Sequence, residues 1–106
     1  MRIFFIFFAV LGLCSPAFAA SEFQLTIKDH KFSPETLEVP AGEKIKITVM
    51  NEDATPEEFE SYELNREKII GANSKGVIFI GPLEPGKYPF FGEFNPDTAK
   101  GTIVVK

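Results

Sequence analysis

The chain has 106 residues, with 15 acidic against 11 basic side chains, eight glycines, eight prolines, 12 phenylalanines and a single cysteine. A length of this order holds one domain, and a formal charge of −4 argues against nucleic acid and anionic membrane as partners while suiting cations. One histidine and one cysteine, with no G-x-S-x-G or P-loop pattern, leave no familiar nucleophile–base pair and no nucleotide cradle.

Residues 1–19 read as a cleaved export signal. Arg2 supplies the positive start, Ile3 to Cys14 form an uncharged apolar run, Ser15-Pro16 breaks it, and Ala17-Phe18-Ala19 offers small residues where a signal peptidase reads. The run is shorter than the roughly 20 residues of a spanning helix, and no second apolar segment of that length follows. The expected product is a periplasmic domain over residues 20–106 with no membrane span. The only cysteine, Cys14, leaves with the signal; Leu13 directly before it argues against lipid attachment there. The exported form then has neither a disulfide nor a free thiol, and loss of Arg2 makes it one unit more negative.

From there on, short runs alternate with the two-residue period of half-buried strands. Phe23, Leu25 and Ile27 share one face, and Ile45, Ile47 and Val49 repeat the pattern. The stretch from Glu57 to Lys68 suits either a strand or a short helix. Val77 and Phe79, Tyr88 and Phe90, and Ile103 and Val105 are the expected inward residues of the last strands. Ser33-Pro34, Pro40-Ala41-Gly42, Gly81-Pro82, Pro85-Gly86 and Asn95-Pro96 punctuate these runs as turns. Seven or eight short strands so spaced predict an all-β sandwich. Leu83 to Tyr88 has the form of a turn before a tyrosine corner, which gives Tyr88 a structural role, its phenol bonding back to nearby main chain.

Three stretches resemble the cupredoxin-like family. They are Ile27 to Pro34 with Leu37 to Gly42, then Ile47 to Asp53, then Leu83 to Gly101, closed by Gly101 to Val105. The resemblance implies a Greek-key β-sandwich of seven to eight strands. It also implies a metal site at one tip, and there the sequence departs from the pattern. Gly92 stands where the family places its copper cysteine, Asn95 where the second histidine follows, and Glu57 or Glu58 where the first histidine lies. Blue copper needs a thiolate and imidazoles, so a blue-copper electron carrier is excluded. Within the family, Thr55 to Ser61, with its acid–aromatic–acid triplet Glu58-Phe59-Glu60, together with Phe90 to Pro96, resembles the cupredoxin-like domains of bacterial periplasmic iron-uptake systems. These include the EfeO type and the stand-alone partners of iron permeases. That similarity implies metal binding in the service of iron uptake, with an iron permease and other periplasmic components as partners.

If the fold holds, the loops after the first strand, before Glu58 and after Phe91 gather at one end of the sandwich. The candidate metal ligands are then His30, Glu58, Glu60, Glu93 and Asp97. Each has a plainer reading: a solvated histidine, or an exposed acidic face running through Glu52, Asp53, Glu57, Glu58, Glu60 and Glu63. Glu58 and Glu60 share strand parity, and an acid such as Glu93 among Phe90, Phe91 and Phe94 needs a partner. Oxygen donors and one imidazole suit iron (Fe2+ or Fe3+). The first alternative is a colourless Cu2+ centre, since copper tops the divalent affinity order; the second is a metal-free interaction domain. The expectation is a binding protein rather than an enzyme, and any part in ferrous oxidation needs a separate electron acceptor.

Overall fold

The computed structural model describes residues 20–106, so the signal read over 1–19 lies outside the described residues. Nine strands follow in chain order: β1 Ser21–Lys28, β2 Lys31–Ser33, β3 Thr36–Val39, β4 Ile45–Asn51, β5 Glu57–Ser61, β6 Arg66–Ile70, β7 Ser74–Ile80, β8 Gly86–Gly92 and β9 Lys100–Val105. They form two sheets, one ordered β2-β1-β4-β7 and the other β3-β9-β8-β5-β6, and no helix occurs among the described residues. β1 runs parallel to β4 and β3 parallel to β9, while the remaining neighbours are antiparallel. The all-β sandwich is therefore as expected, with more strands than the seven or eight anticipated.

The extra strands arise at two tight turns. Asp29 and His30 both take left-handed backbone (φ 54° and 58°) and fold β2 back on β1. That conformation is uncommon for non-glycine residues, and Asp53 holds it. Its carboxylate accepts from Asp29 N at 2.7 Å and His30 N at 3.0 Å. The His30 amide is the first cause that keeps the Asp53 carboxyl below its ordinary range. The second turn spans Tyr62 to Asn65, with Asn65 at φ 54° and its N–H donating to Tyr62 O at 3.1 Å. It makes Glu57 to Ile70 a hairpin and removes the helical option, because Glu57, Phe59 and Ser61 alternate inward.

One expectation about faces is corrected. Val77 and Phe79 point outward, 37% and 45% exposed, while Ile78 and Ile80 fill the core. Register decides this: β7 pairs antiparallel with β4 so that Ile78 lies opposite Ile47 and Ile80 opposite Ile45, and residues directly opposite share a face. Lys44 covers Phe79 instead, its Nζ 5.1 Å from the ring centre.

Leu25, Ile27, Ile47, Val49, Ile103 and their neighbours fill the space between the sheets. At one end of the core three rings meet. Phe90 stacks on Phe59 at 5.1 Å and takes Phe32 edge-on at 4.9 Å. The Tyr88 phenol donates to Glu84 O at 2.8 Å, the bond its turn predicted.

Candidate functional site

β5 separates its acids by parity. Glu57 points inward and is 2% exposed, whereas Glu58 and Glu60 point outward and are half-buried. This corrects the reading of Glu57 as part of an exposed acidic face: it shares parity with the fully buried Phe59.

The Glu57 carboxylate is held on both oxygens. Oε1 accepts from Glu58 N at 2.9 Å and Phe94 N at 2.8 Å, and Oε2 accepts from Asn95 Nδ2 at 2.9 Å. The β8–β9 loop folds over it through Asn95 N to Gly92 O, Ala99 N to Asn95 O and Gly92 N to Ala99 O, at 2.8–3.1 Å. Gly92 is required by this arrangement. A Cβ there would stand 2.6 Å from Glu57 Cδ and Oε2, and 2.8 Å from Ala99 Cβ. The side chains at this end do not fit a copper ion of the kind the resemblance implies. Among the described residues there is no cysteine and the one histidine faces Asp53, and the carboxylate that fills the space has hydrogen bonds on both oxygens.

On the outer face, β5 lies between β6 and β8. Glu60 sits opposite Glu67 of β6 and Phe91 of β8, and Glu58 sits opposite Ile69. Ligand atoms of Glu58, Glu60 and Glu67 all lie within 4.8 Å of one another, the one such group of three found among the described residues. Glu93 N donates to Glu58 O at 2.8 Å, which brings Glu93 to the same edge. Partial burial is the first cause that raises the Glu58 carboxyl above its ordinary range, followed by a hydrogen bond shared with Glu67 and repulsion from Glu60, Glu67 and Glu93. Burial likewise comes first for Glu60, then Glu67 and Glu93. Among the described residues no lysine or arginine forms an ion pair with any of these four acids. Tyr62 and Phe91 meet at 5.5 Å on the same sheet.

The ligands expected from sequence are thus distributed over three places. Glu58 and Glu60 come together with Glu67, and Glu93 adjoins them. His30 faces Asp53, Nδ1 to Oδ2 3.6 Å, and does not join the group. Asp97 lines a separate open cleft with Glu35, Thr36 and Lys100. Of two further residues with a part in the geometry, Glu57 is named in the sequence only at the first-histidine position and in the acidic face, and Glu67 is not singled out at all. Glu57 carried a signal in its parity with Phe59. Glu67 carried one only through the turn at Asn65, which sets it opposite Glu60.

A family model described as cupredoxin-like domain matches residues 1–105. A curated relative from Rickettsia prowazekii (strain Madrid E), the uncharacterized protein RP394, is 51% identical over 84 residues, 79% of this chain and 67% of the relative. Among solved structures, the metal-binding domain of the Streptococcus pneumoniae Cu(I)-exporting P-type ATPase CopA, with Cu(I), aligns with a TM-score of 0.71 at 20% identity, covering 80% of this chain and 84% of that one. A purple cupredoxin from Nitrosopumilus maritimus aligns with a TM-score of 0.62 at 21% identity, covering 78% and 98%. At these identities the likeness speaks for the sandwich alone.

Proposed function

The chain belongs to the cupredoxin-like domain family, and on that premise we propose that it is a periplasmic accessory protein of iron uptake. In this reading it is exported by a signal over residues 1–19 and holds Fe2+ or Fe3+ through carboxylates on the outer face of its second sheet. The observation that carries this reading is the convergence of Glu58, Glu60 and Glu67, three oxygen donors within 4.8 Å of one another, two of them half-buried. Acids packed this closely without a basic partner repel one another, and a cation removes that repulsion. An all-oxygen shell suits a hard or borderline ion such as iron and gives a soft cuprous ion little. The sequence similarity of Glu58-Phe59-Glu60 to EfeO-type domains supports iron as the cargo and a permease as the recipient. Glu93 adjoins the three through its main chain, and its charge adds to the repulsion that a cation relieves. Carboxylates also favour Fe3+ over Fe2+, so bound iron loses an electron more easily to a separate oxidant.

Anaerobic calorimetric titration of the exported form with Fe2+, Mn2+ and Cu2+ tests this. Fe2+ is expected to bind with a Kd well below about 1 mM, a free energy beyond about −4 kcal/mol, and to compete with Cu2+ for the same carboxylates. The absence of binding tighter than that by any of the three ions contradicts the proposal. Cu2+ binding that Fe2+ and Mn2+ do not compete for assigns the protein to copper instead.

A further inference from the structure

The Glu57 carboxylate takes hydrogen bonds from three donors supplied by two separate elements. The amides of Glu58 and Phe94 and the Asn95 side-chain N–H converge on its two oxygens from β5 and from the β8–β9 loop. The amide orientation of Asn95 follows from chemistry, since its oxygen turned toward Oε2 would set two acceptors against each other. The loop that presents two of these donors is fixed by main-chain bonds of its own, including Ala99 N to Asn95 O at 2.9 Å and Gly92 N to Ala99 O at 2.8 Å. The donors therefore stay in position without the carboxylate. No buried side-chain oxygen or nitrogen among the described residues is left without a partner.

We propose that this end of the sandwich is an anion socket, occupied by the chain's own Glu57 carboxylate and for that reason closed to metal cations. The polarity is opposite to that of a metal site. A cation entering here meets three N–H groups already directed at the carboxylate, and to bind it must displace them from oxygens that both carry hydrogen bonds. Gly92 belongs to the same device, because any side chain at that position takes the volume of the carboxylate. The inference is independent of the outer carboxylates, which lie on the other face of β5.

Emptying the socket and refilling it tests the proposal. Glu57→Ala in the full exported chain removes the acid and leaves the donors. Formate is small enough to replace the carboxyl group. Sodium formate is expected to raise the melting temperature of Glu57→Ala by about 6–11 °C more than sodium chloride of equal ionic strength, the size expected when ligand exceeds its Kd about tenfold. The unsubstituted protein is expected to respond to the two salts alike. Formate and chloride acting equally on Glu57→Ala overturns the proposal. Should the variant not melt cooperatively, its refolding yield decides. A yield raised by formate alone supports the socket, and equal yields overturn it.

Discussion

Replacing Gly92 by cysteine is expected to destabilise the protein severely and to produce no blue colour with Cu2+. Cysteine is the one residue type that supplies the thiolate a blue site needs, and Gly92 is where the sequence pattern puts it. Yet the new Cβ would stand 2.6 Å from Glu57 Cδ and 2.8 Å from Ala99 Cβ. Overpacking of a tight interior costs about 1–3 kcal/mol. If Glu57 yields instead, each charged hydrogen bond it gives up costs about 1.5–3 kcal/mol. Loss of all three of its hydrogen bonds costs about 4.5–9 kcal/mol, which by itself approaches the whole stability of a small domain, about 5–15 kcal/mol. Urea unfolding of Gly92→Cys should show a midpoint far below that of the parent. A midpoint like the parent's, or an intense thiolate-to-copper absorption, would show that the carboxylate does not close this end.

The second large effect concerns the outer acids. Glu60→Gln with Glu67→Gln is expected to weaken Fe2+ binding by at least about 100-fold, since even the outer-shell partners of metal ligands are worth about 10–100-fold each. The same double variant should be more stable than the parent when no metal is bound, because it removes charges that repel. The pH dependence has the same origin. Burial and neighbouring acids raise the Glu58 and Glu60 carboxyls above their ordinary range, so their charged forms weigh against folding. That penalty is fully present above the raised values and fades as pH falls through them. Metal affinity runs the other way, rising with pH through the same interval as the bound protons leave. Calorimetry at several pH values reads both trends. A metal affinity insensitive to the double substitution would remove these carboxylates from the site.

The sandwich was legible because strand alternation and turn residues are local signals. Leu25 with Ile27 and Ile45 with Ile47 fall on the core side as the two-residue period requires. β7 was misjudged because its apolar residues run consecutively, Val77 to Ile80, so that period does not select a face. Only pairing with β4 does. The absence of a blue-copper ligand set was likewise readable from Gly92 and Asn95. What filled the vacated space was not, because it depends on Glu57 turning inward and on two amides beyond residue 92 meeting it. Glu67 entered the acidic group through a hairpin whose turn rests on left-handed Asn65, a feature an asparagine permits but does not announce. His30 was drawn toward Asp53 by the turn that Asp53 itself stabilises, which sequence spacing alone does not reveal.

The most direct measurement is paramagnetic broadening by Mn2+ of the amide resonances of the isotopically labelled exported domain. Substoichiometric Mn2+ is predicted to bleach Glu58, Glu60 and Glu67 first, before His30 and Asp53, with loss of the effect in Glu60→Gln/Glu67→Gln. Broadening centred on His30, or spread evenly over the acidic surface, would contradict the assignment of a cation to the outer carboxylates.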